Sequence, residues 1–317
     1  MTGNMQALFN IVLPVFGVIL TGFLARHCRL LGDASAKALN RFVYYIAIPP
    51  LLFLTTARVP LAEILNWPFI TVYVGANLLT LLAAVAGARL LFGRRTLTAF
   101  TFHAFAAVFA NTVYMGIPLF LAAFGREGTT PIVVAALVSN LLFIGGAIVG
   151  FELGQAGGGG YRGIARDVAE ALLRSPILWP LLAGLLVSYL RLELPVPIAR
   201  FLDLLANAAG PTALFTLGLS LYGHSVRADL GEVLWLAWLK LLVNPLITGA
   251  LVLYVVPLEP FWAESAVLIA AIPSGALVFV FAQRYGVYVR QSAAVVVVTT
   301  ALSVLTLATL LTYFGNG

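Results

Sequence analysis

Ala110-Asn111-Thr112-Val113-Tyr114-Met115-Gly116-Ile117-Pro118 interrupts one long apolar segment of this chain, and Ala271-Ile272-Pro273-Ser274-Gly275 interrupts another. Proline removes a backbone donor and ends or kinks a helix. Hydrocarbon offers no partner to the groups freed in this way, so a membrane helix unwinds only where protein or a water-filled cavity satisfies them. Two interruptions in corresponding places therefore predict a binding site.

The surrounding composition supports a membrane setting. Of 317 residues, 62% are hydrophobic and only 9% charged, far from the mix of a soluble domain. At roughly 20 residues per crossing, the chain holds about ten helices and no sizeable soluble domain. The run beyond Gln6 is too long for a signal peptide and reads as a first span. The net charge of +6 does not call for a nucleic-acid partner, because basic residues at helix ends are explained by orientation in the bilayer. Cys28 is the only cysteine, which excludes an intrachain disulfide and a cysteine-built metal cage. No cofactor or metal site is expected.

Apolar runs between charged or Gly/Pro-rich punctuation predict helices near 6–25, 36–57, 67–92, 97–124 and 130–152, then near 175–190, 196–222, 230–256, 261–284 and 289–314. The expected fold class is an all-α polytopic membrane protein. Its first repeat of five helices covers 1–153 and its second 175–317, joined by a connector over 154–174 that contains Gly157-Gly158-Gly159-Gly160. With one orientation, twelve Arg and Lys residues, Arg26 through Arg290, fall on the cytoplasmic side, against Arg58, Arg126, Arg191 and Arg200 outside. That bias places both termini outside. The second and fourth segments of each half carry proline breaks at similar spacing: Pro49-Pro50 and Pro211, then Pro118 and Pro273. Because five is odd, the second half runs in the opposite direction, which makes the pair an inverted repeat, as in many secondary transporters.

Four stretches stand out in order along the chain: Leu39-Asn40-Arg41-Phe42-Val43 with Pro49-Pro50-Leu51-Leu52, Asn111 through Leu119, Phe215-Thr216-Leu217-Gly218-Leu219, and Ile272-Pro273-Ser274-Gly275 with Phe279-Val280-Phe281-Ala282. In these the chain resembles the auxin efflux carrier family, within the wider bile-acid and auxin carrier group. The resemblance implies ten transmembrane helices as a 5+5 inverted repeat, with helices 4 and 9 broken and crossing. Helices 1, 2, 6 and 7 would form a scaffold, and helices 3–5 and 8–10 a moving transport unit. It further implies a homodimer and carriage of organic anions, auxin in plants and malonate-type acids in bacteria. The chain departs from the plant pattern at Ser139 and Ile144, where plant carriers place Gln and Tyr, and it lacks their long cytoplasmic loop. Auxin is therefore not the expected substrate.

The candidate substrate-binding residues follow. At the first break these are Asn111, Thr112, Tyr114, Gly116 and Pro118, and at the second Pro273, Ser274 and Gly275. Each break exposes the positive end of a half-helix, and such an end attracts an anion by about 0.3–1 kcal/mol. Gly116 and Gly275 would let backbone approach the ligand. Asn40, Ser139 and Asn207 complete the set, while Asp203 reads as a solvated helix-end cap. The alternative for Asn111 and Thr112 is satisfaction of helix ends.

Lys240 and His103 are the candidate coupling residues. Lys240 lies ten residues beyond Leu230, about 15 Å along a helix. It reads as an anion partner, a carboxylate counter-charge, a proton switch or a snorkelling side chain. His103 would couple protons to transport or serve in packing.

These features predict a secondary transporter or facilitator of small organic anions in the plasma or inner membrane, working by alternating access of the elevator type. No Walker-type loop is present to drive ATP-dependent pumping. A ligand sensor that keeps the transporter fold without turnover is the alternative. An enzyme is not expected, since no nucleophile–base pair or metal cluster is recognisable.

Overall fold

The computed structural model describes residues 13–58, 64–155, 173, 176, 178–222 and 229–314. The start of the first expected span and the Gly157–Gly160 connector lie outside these residues. The described chain is helical: α1 Leu13–His27, α2 Asp33–Ala57, α3 Trp67–Leu90, α4 Leu97–Val108, α5 Thr112–Phe124 and α6 Thr130–Gly154. Then follow α7 Leu178–Tyr189, α8 Val196–Leu221, α9 Leu230–Tyr254 and α10 Pro260–Ala270, with α11 Leu277–Tyr285 and α12 Val289–Phe314.

Among the described residues, α2, α3, α6, α8, α9 and α12 are long and apolar enough to cross a membrane by length and composition, and five shorter apolar helices accompany them. The helix boundaries follow local chemistry. Asn66 and Thr96 accept the amides of Phe69 and Ala99 from their side chains, which satisfies donors that a helix start leaves free. Pro68 and Pro131 stand in first turns, where a missing N–H costs nothing.

Two groups of helices pack. In the first, α8 lies against α1 and α2, and α7 against α2. The backbones of α1 and α8 touch: a Cβ at Gly22 would strike the carbonyl of Phe215, and one at Gly218 the carbonyl of Ile19. Such reciprocal small residues let apolar helices approach where lipid removes any hydrophobic advantage. In the second group, α4 packs against α3 and α6, α9 against α3 and α10, and α12 against α9 and α11. The helix α5 joins the groups by packing on α8.

The helical ladder widens into a π-turn at Val43–Ala47, Thr112–Gly116, Ser139–Ile144 and Leu239–Val243. Such turns concentrate at functional positions. Pro211, expected to break its helix, lies inside continuous α8. Its missing N–H leaves the carbonyl four residues back, that of Asn207, without its usual donor.

Candidate functional site

The two interruptions meet. Between α4 and α5, and between α10 and α11, extended backbone brings Ala110 opposite Ser274 in an antiparallel bridge. The Asn111 amide donates to the Pro273 carbonyl at 2.8 Å, and the Gly275 amide donates to the Phe109 carbonyl at 2.8 Å. The Ser274 hydroxyl donates to the Ala106 carbonyl at 2.7 Å, and the Ser274 amide donates to Thr299 Oγ1 at 3.2 Å. Thr112 donates its amide to the Ala110 carbonyl.

The amides of Asn111 and Gly275, expected to be free for a ligand, are thus occupied by the opposite break, while those of Thr112 and Ser274 are held by the Ala110 carbonyl and by Thr299. The room left by the glycines is also taken. A Cβ at Gly116 would meet Ile132 and Ile272, and one at Gly275 would lie 2.8 Å from the Phe109 ring. Each following half-helix, α5 and α11, still turns the positive end of its dipole toward the crossing. One polar group in the crossing lacks a partner: Nδ2 of buried Asn111.

A cavity of about 380 Å³ lies beside this crossing, between α5 on one side and α1, α2 and α8 on the other. Pro118 and Leu121 of α5, Leu51 of α2 and Pro211 of α8 line it, with Arg126 and Asn207 as its polar members. An apolar hollow with a few convergent polar groups is the usual build of a small-molecule site, and this volume falls within the usual range.

Polar contacts bound the cavity at both ends. Along α2 the order is Asn40, Leu51, Arg58. Beyond one end, Tyr114 donates its hydroxyl to the Asn40 side chain, tying α5 to α2. At the other, Arg58 forks onto Asp203 at 3.1 and 3.0 Å, and Arg126 donates to both Asp203 and Asn207. Two guanidinium groups on one carboxylate leave this end electropositive.

The structure therefore divides the sequence candidates. Pro118 and Asn207 reach the cavity, and Asn40 and Tyr114 bind each other. Asn111, Thr112, Gly116, Pro273, Ser274 and Gly275 build the crossing. Ser139 stands apart, with its hydroxyl 2.7 Å from the Tyr73 hydroxyl. Lys240, fully buried, donates to the Ala270 carbonyl at 2.9 Å, at the end of α10. Buried His103 donates Nδ1–H to Ala99 O at 2.8 Å, away from the cavity. Sequence reasoning missed the role of Asp203 and its two arginines. The signal was present, since Arg58 and Arg126 were expected at helix ends on one side.

Paired interruptions inside an apolar helical chain, beside a cavity with an electropositive end, match a known group. The family described as membrane transport protein matches residues 7–156 and 161–311. The chain belongs to this family, that of the auxin efflux carriers. It is 31% identical over 316 residues to the "Putative malonate transporter" of Rhizobium meliloti (strain 1021), covering 99% of this chain and 98% of that protein. To an "Uncharacterized transporter" of Methanothermobacter thermautotrophicus it is 29% identical, with 93% and 95% of the two chains covered. It is 28% identical to the "Lysosomal cholesterol signaling protein" of Mus musculus over 78% of this chain but 30% of that protein. Family membership and the apolar helices identify an integral membrane transporter, not an enzyme.

Proposed function

We propose that the chain carries small organic anions, short carboxylates of the malonate kind, by alternating access of the elevator type. The observation that carries this reading is the cavity between α5 and the α1–α2–α8 group, with Arg126 and Asn207 in its lining. The carboxylate enters past the Arg58–Asp203–Arg126 cluster and moves along α5 toward its first turn, where the helix dipole and the unpartnered Asn111 amide receive it. Charge-assisted hydrogen bonds of this kind are roughly twice as strong as neutral ones.

In this reading the chain crosses the membrane ten times as two inverted repeats of five, with both termini outside in the plasma or inner membrane. The segments α4–α5 and α10–α11 are the broken, crossing spans. The helices α1, α2, α7 and α8 form the scaffold, which also forms the homodimer contact, and the remaining helices move as the transport unit. The Tyr114–Asn40 bond closes the path on one side and the Asp203 cluster on the other, so exchange of access requires each to open in turn. Support also comes from the name borne by the Rhizobium relative, which matches nearly end to end.

A thermal-stability screen of the purified protein against mono- and dicarboxylates tests the binding half of this reading. A ligand at one hundred times its Kd stabilises the state it binds by about 2.7 kcal/mol. Carboxylates raising the unfolding temperature, while matched neutral amides do not, is the expected result. Equal response to both would contradict an anion site. Binding without movement across a vesicle membrane would favour the ligand-sensor alternative.

A further inference from the structure

His103 of α4 and Glu232 of α9 face each other outside the cavity, with Nε2 and Oε2 4.0 Å apart. Both side chains are buried, at 0% and 3% exposure, and neither of these two atoms has a hydrogen-bond partner. Their partners elsewhere fix what each atom is. Nδ1 of His103 is 2.8 Å from Ala99 O, a carbonyl that can only accept, so Nδ1 carries a hydrogen. In the neutral ring Nε2 is then an acceptor. Oε1 of Glu232 accepts from Arg94 Nε at 2.6 Å, which leaves Oε2 as the unpartnered oxygen of this carboxylate. Two buried acceptors point at one another with no hydrogen between them.

Leaving both unsatisfied is destabilising, since each keeps its desolvation cost without a partner. A single added proton removes both costs, because Nε2–H becomes a donor to Oε2. We propose that His103 and Glu232 form a one-proton site that couples substrate movement to proton binding. The proton comes from the aqueous phase and forms the Nε2–H bond; no other bond changes. A hydrogen bond needs about 2.7–3.2 Å, so protonation draws α4 and α9 together from the 4.0 Å separation. Since α4 leads directly into the Ala110–Ser274 crossing, this shift is transmitted to the transport segment.

Arg94 is the positive charge nearest the pair. Arg94, in the turn between α3 and α4, reaches Asp229 as well as Glu232 and lies 5.8 Å over the Tyr288 ring. The Glu232 hydrogen bond holds its guanidinium above the usual arginine range, so it stays charged. Burial pushes the Tyr288 phenol up, so it stays neutral. Phe92, Phe102 and Tyr288 enclose the imidazole. On the other elements packed against α4, Arg89 of α3, Glu152 of α6 and Arg284 of α11 make no ion pair or hydrogen bond to His103 among the described residues.

The coupling rests on the transport reading, but the site itself is read without turnover. Nitrogen NMR of the full-length protein in nanodiscs, labelled at histidine, reports the protonation of each ring nitrogen. Loss of a resonance in His103→Gln assigns it. As the pH falls, His103 of the wild type should pass from one N–H to two. In Glu232→Gln the new amide can donate to Nε2 while its oxygen still accepts from Arg94, so His103 should keep one N–H throughout. Uptake of labelled malonate should lose its pH dependence in the same variant. A wild-type His103 that never gains a second proton, or one that titrates identically in Glu232→Gln, would overturn the proposal. Absence of uptake in every protein, with the histidine behaving as described, would count against the transport reading and not against the proton site.

Discussion

Ala110 and Ser274, 164 positions apart in sequence by their numbers, pair as the only residues joined in a β-bridge among those described. The bridge makes the two interruptions a single structural unit. Neither can rewind into helix without stranding the amide or carbonyl of its partner.

Gly275 is the tightest point of that unit. A valine there would press on the Phe109 ring and on the Ala110 carbonyl, 2.8 and 3.2 Å from the added Cβ. Overpacking of this kind costs about 1–3 kcal/mol. Gly275→Val is expected to lower the unfolding temperature in detergent and to abolish uptake, whereas Gly146→Ala, at a position with open space, should do neither.

Asn111 should behave in the opposite way. Its Nδ2 is buried without a partner, and an unsatisfied donor costs about 1–3 kcal/mol. Truncation removes that cost, so Asn111→Ala is expected to unfold at the wild-type temperature or above it. Uptake should nevertheless fall by roughly tenfold, the loss of one hydrogen bond of about 1.4 kcal/mol to the ligand. Calorimetry and vesicle uptake on the same preparation separate the two effects.

Lys240 poses a balance of two costs. Its amine is 1% exposed and donates to the Ala270 carbonyl. Replacement by methionine strands that carbonyl, at about 1–3 kcal/mol, but also removes a buried polar group whose desolvation is costly. The two effects oppose each other, so Lys240→Met is expected to hold thermal stability while reducing uptake, because it removes the donor that holds the C-terminal end of α10, next to the break.

Asp203 holds Arg126, which the proposed entry path needs for the substrate carboxylate. The pairs are part-exposed, with 42% of each arginine side chain and 29% of the aspartate accessible, so their contribution to stability is about 0–1 kcal/mol. Asp203→Asn should leave the unfolding temperature nearly unchanged and free Arg126 for the incoming carboxylate. A gain of about 0.6–1 kcal/mol in binding, in the range of exposed ion pairs, corresponds to a KM lower by roughly threefold to fivefold. Initial rates of uptake across a substrate series measure it.

Much of this arrangement was legible in the sequence, and the reasons are physical. Long apolar runs bounded by arginines and prolines have few alternatives, so the helices at 67–90, 196–221 and 289–314 fall within two residues of their expected ends. The breaks at Asn111 and Pro273 announced themselves through residues that no uninterrupted membrane helix needs. Their mutual hydrogen bonding did not, because backbone partners far apart in sequence leave no mark on residue type. That is why Ser274 read as a ligand group, although its hydroxyl is held by the Ala106 carbonyl. Pro211 misled in the other direction: α8 carries it without a break. Glu232 carried no mark of its own in the sequence, and only packing revealed that it faces His103.

Purified protein in liposomes, loaded with buffer and given labelled malonate outside, tests the central claim most directly. The account predicts saturable accumulation well above protein-free liposomes, competed by other short dicarboxylates and slowed roughly tenfold in Asn111→Ala. Malonate that binds the protein but never enters the vesicles, or that enters equally fast through Asn111→Ala, would contradict it.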